Sequence, residues 1–144
     1  MIFGRRERVI RRILVVEDEP LVAFDTEHLL GDAGYEVVAT VDSLAAACKV
    51  IESEKLDLVL TDLGLRGDGD GIGVARFARE RAVPVLFVTS QNIEDGPSMA
   101  LGRLAKPYSA KVLETALDVL NEHLQGHRSR NVPHQLTFYD PIVT

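Results

Sequence analysis

Short apolar runs alternate along the chain with longer segments of helical spacing. The runs lie at residues 13–16, 36–40, 57–61, 83–88 and 101–105. Each run is too short for a helix and mostly apolar, which is typical of strands buried on both faces of a parallel sheet. Between the runs, apolar residues recur every three to four positions, and this spacing predicts helices at 21–32, 43–53, 72–81 and 109–124.

This alternation implies a doubly wound α/β fold, in which helices cover both faces of a parallel sheet. Only the crossover between the fourth and fifth strands is irregular. Sixteen residues separate Thr89 from Lys106, and Gly96-Pro97 interrupts them. A helix at 91–95 would be about 7–8 Å long, whereas a five-residue strand is about 17 Å long. We therefore expect a shortened or missing fourth helix and an extended return loop.

We expect one domain at residues 13–125, with an N-terminal arm before it and a C-terminal tail after it. The chain of 144 residues has a net charge of −6, yet residues 1–12 carry five arginines and one glutamate. We expect this basic N-terminal arm to be a solvated extension, with contact to an acidic partner or to its own domain as the alternative. Residues 126–144 form a C-terminal tail that we expect to be disordered, although its aromatic patch at 136–139 could add to a sheet edge or dock in a groove.

The composition also argues against several functional classes. An acidic net charge disfavours nucleic acid as the main partner. No apolar stretch approaches the length of about 18 residues that a membrane span needs. The N-terminus lacks the apolar segment of a signal peptide, so we expect a cytoplasmic protein. The single cysteine, Cys48, is in phase with Leu44 and Ile51 and is predicted to be a core residue.

Polar groups follow four of the five predicted strands. Glu17 and Asp18 end the first strand, Asp62 the third, Thr89 the fourth and Lys106 the fifth. If the strand order is 2-1-3-4-5, the carboxylates converge at the switch point of the sheet. Two unit charges about 4 Å apart repel by about 4 kcal/mol at an effective dielectric near 20, so this cluster needs either a cation or a carboxyl group with a raised pKa. Carboxylate oxygens suit Mg²⁺, and Asp62 becomes a candidate nucleophile for a phosphoryl group whose oxygens Lys106 and Thr89 would contact.

These residues resemble the receiver domain of two-component response regulators over about residues 12–124. The matching stretches are Ile13 to Pro20, Asp62 to Leu65 with Gly71, Val88 to Ser90, and Lys106 to Tyr108. The resemblance implies a flavodoxin-like, doubly wound sheet of five parallel strands in the order 2-1-3-4-5. It also implies a phosphoacceptor switch that takes its phosphoryl group from a histidine kinase or a histidine phosphotransfer protein.

The resemblance also implies a metal site next to the phosphoacceptor. Asp62 would accept the phosphoryl group. Mg²⁺ would be bound by Asp18, Asp62 and the backbone carbonyl of Gly64, while Glu17 would act mostly through water. No separate substrate would be turned over, so the protein would not be an enzyme beyond self-phosphorylation and autodephosphorylation at Asp62.

The remaining matches concern signal transmission. Thr89 would be the switch hydroxyl, Lys106 would contact the phosphoryl group, and Pro107 would follow a cis peptide bond. The chain departs from the family at Arg103, where an aromatic residue usually lies three positions before the lysine. It also has Arg66 where a proline is common, which would leave that loop more mobile. With the short crossover, Arg103 makes the chain similar to the alphaproteobacterial FAT GUY receivers, whose fourth-strand motif residues 87–92 match in part.

Two other functional classes remain open. One is a degenerate receiver that binds a partner without phosphorylation. The other is a haloacid-dehalogenase-like phosphatase, which requires a second aspartate where this chain has Gly64. The glycine-rich segment 69–73 could also resemble a phosphate-binding or calcium-binding loop, but it lacks the required placement and ligand number. For a stand-alone receiver, we expect output through an unknown downstream protein or a phosphorelay, from a monomer or weak homodimer.

Overall fold

The computed structural model describes residues 8–65, 70–90 and 100–139. Its elements are, in chain order, β1 (Arg12–Val16), α1 (Pro20–Asp32), β2 (Glu36–Val41), α2 (Leu44–Ser53), β3 (Leu58–Thr61), α3 (Gly71–Glu80), β4 (Val85–Thr89), β5 (Gly102–Ala105), α4 (Ala110–Leu124) and β6 (Leu136–Phe138). The predicted shortened or missing fourth helix falls on residues 91–99, outside the described residues. Residues 1–7 of the basic arm and Arg66 lie outside them as well.

The sheet confirms the predicted parallel order and extends it by one strand. Its strand order is β2-β1-β3-β4-β5-β6, and every pair up to β5 is parallel. In the central pair, Val16 of β1 lies opposite Thr61 of β3. The carboxyl ends of these two strands are therefore level, which brings the residues that follow them to one edge of the sheet.

Two apolar layers fill the space between the sheet and the helices. One layer packs α1 and α4 against one face of the sheet, and the other packs α2 and α3 against the opposite face. The central strands contribute to both layers because successive side chains of a strand point to opposite faces. Leu58 and Leu60 of β3 belong to the first layer, whereas Val59 belongs to the second. This two-sided burial explains why the strand sequences are continuously apolar.

The helices begin at side-chain caps that the sequence supplies. Ser43, Asp70 and Ser109 each accept a hydrogen bond from a backbone N–H in the first turn of α2, α3 and α4, respectively. The Asp70 carboxylate accepts from the N–H of Gly73 at 3.0 Å. Asp70 therefore has a structural role as an N-cap, which accounts for the polar residue in the glycine-rich segment without a bound ligand.

The C-terminal tail does not match the expectation of disorder at residues 136–138. These residues form β6, which pairs antiparallel with β5 and buries Leu136 to 5% exposure. The alternative that the aromatic patch adds to a sheet edge is therefore correct. The physical reason is that β5 would otherwise present unpaired backbone groups at the sheet edge.

The described part of the N-terminal arm is not a solvated extension either. Ile10 is fully buried, and the N–H groups of Val9 and Ile10 both donate to Oδ1 of Asn121, each at 2.9 Å. One arginine of the arm also contacts the domain: the guanidinium of Arg8 stacks on the ring of Tyr35. Contact with its own domain, the alternative interpretation, is correct for residues 8–12.

One core prediction is wrong. Cys48 is only half-buried, and the core positions of α2 are Ala47 and Ile51. Helical phase alone could not separate two neighbouring positions at the border of the buried face. Within the described residues, no helix is both long and apolar enough to cross a membrane.

Candidate functional site

Three carboxylates meet at the carboxyl ends of β1 and β3. One oxygen from each of Glu17, Asp18 and Asp62 lies within 4.8 Å of the other two. Backbone pairing fixes this arrangement, since the N–H of Asp62 donates to the carbonyl of Val16 at 3.0 Å. Glu17 is the most buried of the three, at 6% exposure. The predicted acidic cluster is thus assembled by the two central strands.

Lys106 brings a positive charge into the cluster from the end of β5. Its Nζ donates to Oε1 of Glu17 at 2.7 Å and to Oδ2 of Asp62 at 3.0 Å. The backbone N–H of Lys106 donates to the carbonyl of Thr89 at 3.0 Å, which aligns the ends of β4 and β5. The Lys106–Pro107 peptide bond is cis. A single ammonium therefore serves two carboxylates in the described site.

Burial and pairing shift the pKa values of the buried pair. Burial raises the pKa of the Glu17 carboxyl above its ordinary value, although the hydrogen bond from Lys106 opposes the shift. For Lys106, burial would lower the pKa of the ammonium, but its hydrogen bonds to Glu17 and Asp62 outweigh burial and raise it. Lys106 therefore stays charged. The three carboxylates still carry more negative charge than this one ammonium can offset.

The loop after β3 is built closely around Asp62. The N–H of Gly64 donates to Oδ1 of Asp62 at 3.1 Å, so both carboxylate oxygens of Asp62 accept a hydrogen bond. The N–H of Gly71 donates to the carbonyl of Leu63 at 3.0 Å. A Cβ at Gly71 would overlap the backbone carbonyl of Asp62. Only glycine at position 71 lets the start of α3 approach the loop after β3 this closely.

The other predicted site residues lie near the same edge. Thr89 is almost fully buried, at 1% exposure, and ends β4. Arg103 lies in β5 between Phe87 of β4 and Thr137 of β6. Ala105, two residues after Arg103 in β5, pairs with Thr89, so Arg103 lies two positions farther from the end of the strand than Thr89 does. The roles of Thr89 as switch hydroxyl and of the Gly64 carbonyl as metal ligand stay predictions.

Sequence reasoning missed two polar residues that hold the site's framework. Asp57 begins the third predicted strand, and its Oδ2 accepts the N–H groups of both Arg11 and Arg12, at 3.0 and 2.9 Å. This contact aligns β1 with β3 at the end opposite to the site. The other residue is Asn121, buried in α4, which holds residues 9 and 10. A polar residue on an otherwise apolar helix face is the signal that could have indicated Asn121.

The donor set fits a hard divalent cation. Carboxylate oxygens at three positions, close together and offset by one ammonium, are the ligands that Mg²⁺ prefers. Asp18 and Asp62 are partly exposed, which leaves room for the water ligands that Mg²⁺ retains. The residues present can therefore hold such an ion beside Asp62.

Comparison with known proteins agrees with this geometry. Residues 13–118 match the family model of the response regulator receiver domain. The chain belongs to this family. Over 117 residues it is 32% identical to the transcriptional regulatory protein PdtaR of Mycobacterium tuberculosis, covering 77% of this chain and 57% of PdtaR. The receiver domain thus spans little more than half of that relative's length.

Two solved structures of response regulator and receiver proteins are similar to this chain. The response regulator PhyR from Brucella abortus has a TM-score of 0.67 and 27% identity, covering 78% of this chain and 48% of that one. The similarity to PhyR agrees with the FAT GUY subgroup that the sequence suggested. The receiver domain of the sensor histidine kinase PA1611 from Pseudomonas aeruginosa PAO1 has a TM-score of 0.66 and 27% identity, covering 76% and 95%. That structure has a magnesium ion coordinated in its active site cleft.

Proposed function

We propose that this receiver domain accepts a phosphoryl group on Asp62 from the phosphohistidine of a histidine kinase or a histidine phosphotransfer protein. The observation that carries the proposal is the position of the Asp62 carboxylate. It lies at the carboxyl end of a central strand, 3.0 Å from the Lys106 ammonium and within a cluster of three carboxylates. The Asp62 side chain is partly exposed, it lies beside an ammonium that can pair with a phosphoryl oxygen, and the two neighbouring carboxylates can hold a divalent cation.

The chemistry is a displacement at phosphorus. One carboxylate oxygen of Asp62 forms the new O–P bond while the P–N bond to the donor imidazole breaks. The electron pair of that bond stays on the imidazole nitrogen. The product is a mixed anhydride, an aspartyl phosphate, and its hydrolysis by water returns Asp62 and inorganic phosphate. The protein would phosphorylate and dephosphorylate itself in this way without turning over a separate substrate.

Negative charge accumulates at the site during this step and must be offset by cations. The phosphoryl group brings negative charge to a place that already holds three carboxylates. Lys106 supplies one positive charge at hydrogen-bond distance, and it can exchange its bond to Asp62 for one to a phosphoryl oxygen. Mg²⁺ bound by Asp18, Asp62 and the Gly64 carbonyl would supply the remaining positive charge and bind a phosphoryl oxygen.

Output from this site would pass through the strand ends that surround it. Thr89 lies at the end of β4 and Lys106 follows β5, so both can respond to a group attached to Asp62. The downstream step would be binding of a partner protein or transfer of the phosphoryl group onward. A cytoplasmic location and a monomeric or weakly dimeric state remain predictions from the sequence.

Intact-protein mass spectrometry tests the proposal. The protein is incubated with acetyl phosphate and Mg²⁺, and the gain of one phosphoryl group is followed over time. We expect the wild type and the matched control Asp32→Asn, an exposed residue at the end of α1, to gain the group. Asp62→Asn should not gain it. Equal modification of Asp62→Asn and the wild type would contradict the assignment.

A further inference from the structure

The C-terminal strand β6 covers the outer edge of β5. The two strands pair antiparallel through Gly102 with Phe138, Arg103 with Thr137, and Leu104 with Leu136. Backbone hydrogen bonds close the pairing at both ends. The N–H of Ala105 donates to the carbonyl of Gln135 at 2.9 Å, and the N–H of Tyr139 donates to the carbonyl of Leu101 at 3.0 Å. Without β6, the outer backbone groups of β5 would be open to another strand.

The first of these bonds links β6 to the acidic site. Ala105 is the residue directly before Lys106, whose Nζ bonds to Glu17 and Asp62. A phosphoryl group on Asp62 places its oxygens farther from β3 than the carboxylate oxygens that Lys106 contacts now. Pairing with them requires Lys106 to reorient, and any displacement of its backbone would pass directly to Ala105, whose N–H donates to the carbonyl of Gln135 in the tail. The tail is thus one residue away from the side chain that senses phosphorylation.

The attachment of β6 is short and closely fitted. It comprises three residues, and it requires glycine at position 102, because a Cβ there would overlap the carbonyl of Thr137. The Tyr139 hydroxyl is buried without a hydrogen-bond partner among the described residues, although its ring packs 6.3 Å from that of Phe87. The strand is held by a short run of backbone hydrogen bonds and by the packing of Leu136, Phe138 and Tyr139, so its detachment requires the loss of one small set of contacts.

We propose that β6 is a latch that covers the edge of β5 while Asp62 is unphosphorylated and detaches when Asp62 is phosphorylated. This inference rests on the proposed function. Detachment exposes the backbone of β5 and the apolar positions that Leu136 and Tyr139 fill. The edge then fits an extended segment of a partner protein, because it already holds an extended apolar and aromatic segment of this chain.

Hydrogen exchange of the full chain, resolved to single amides by NMR, tests the latch. The amides of Tyr139 and Ala105, which donate across the β5–β6 pair, should be protected in the unphosphorylated protein. After acetyl phosphate and Mg²⁺, protection of the Tyr139 amide should fall about tenfold or more. Unchanged or increased protection in protein whose mass shows full phosphorylation would overturn the latch. Absence of the mass increase would instead show that the proposed function fails.

A pair of glycine substitutions tests the same coupling from the other side. Gly102→Ala should detach β6 without phosphorylation, whereas Gly31→Ala, where an added Cβ meets no atom within 4 Å, should not. Because coupling is reciprocal, Gly102→Ala should also bind the phosphoryl mimic beryllofluoride with Mg²⁺ about fivefold more tightly than Gly31→Ala. Deleting residues 133–144 provides a second variant with the same expectation. Equal or weaker binding in both detached variants would overturn the proposal.

Discussion

The Nζ of Lys106 lies 3.0 Å from Oδ2 of Asp62, although the two residues are 44 positions apart in the chain. The bond spans the carboxyl ends of β3 and β5, with β4 between them. It fixes the charge state of the site, because Lys106 is the cation that the described residues place inside the acidic cluster. A divalent cation bound there must share the carboxylates with this ammonium.

Replacing Lys106 should therefore strengthen metal binding. In Lys106→Met, the carboxylates of Glu17 and Asp62 lose their ammonium and repel one another more, so a divalent cation gains by entering. We expect Mg²⁺ to bind about threefold to tenfold more tightly than in the wild type, as measured by isothermal titration calorimetry at low ionic strength. The control Lys111→Met removes an exposed charge on α4 and should have little effect. Weaker binding in Lys106→Met would show that Lys106 does not compete with the metal.

The close approach of Gly71 to Asp62 predicts a loss of stability on substitution. In Gly71→Ala, the new Cβ would overlap the backbone carbonyl of Asp62, and the start of α3 must move. We expect the free energy of unfolding in urea to fall by about 1–3 kcal/mol. The same change at Gly31 in α1 adds a methyl group in open space and should be neutral or stabilising by up to about 1 kcal/mol. An equal loss of stability in Gly71→Ala and Gly31→Ala would show that the close approach of Gly71 to Asp62 is not the cause.

Asn121 should be among the most sensitive polar residues of the core. Its Oδ1 accepts two backbone N–H groups, and its Nδ2 donates to the Tyr35 hydroxyl and the Leu117 carbonyl. Asn121→Ala removes this partner from the buried Ile10 N–H and from the Tyr35 hydroxyl, at a cost of about 2–4 kcal/mol in the free energy of unfolding. Urea denaturation measures this cost, with the exposed Asn131→Ala as control. If Asn121→Ala were as stable as the control, the N-terminal arm would not depend on this side chain.

Stability should depend on pH through His123 in α4. Its ring stacks on Phe138, with centroids 4.4 Å apart, and burial lowers the pKa of the imidazole from its ordinary value of 6.5. The unfolded chain then binds a proton more readily than the folded one. The stability contributed by neutral His123 is present above the unfolded pKa and is lost as the pH falls below it toward the folded pKa.

The measurement is thermal unfolding of the wild type and His123→Leu at about pH 7.5 and about pH 5.5. We expect the wild type to lose more stability on acidification than His123→Leu does. An identical loss in both proteins would show that His123 does not contribute to the acid sensitivity.

The sequence predicted the sheet and the acidic site because both depend on strong local signals. Five apolar runs gave the five parallel strands, and the polar residues directly after them gave Glu17, Asp18, Asp62, Thr89 and Lys106. Residues that follow parallel strands must lie at one edge of the sheet, so strand order alone sufficed to bring the acidic groups together. The site could thus be inferred without knowing any side-chain geometry.

The sequence left the tail between two alternatives and did not identify the buried face of α1, because the signals for both are weak or depend on tertiary contacts. Three residues of β6 are too short to show a strand pattern, and their pairing depends on the edge that β5 presents. In α1, apolar Phe24 is 58% exposed, whereas polar Thr26 is buried and hydrogen-bonds the hydroxyl of Tyr108 at 3.1 Å. The helical periodicity of apolar residues therefore misjudges which side of α1 faces the sheet.

The identity of the modified residue tests the central claim most directly. The protein is treated with acetyl phosphate and Mg²⁺, and the acyl phosphate is reduced with borohydride, which converts a phosphorylated aspartate to homoserine. Tandem mass spectrometry of the peptides then locates the converted residue. The proposal predicts homoserine at position 62. Conversion at Asp18 instead, or a phosphoryl group that is gained but survives reduction on another type of side chain, would contradict it.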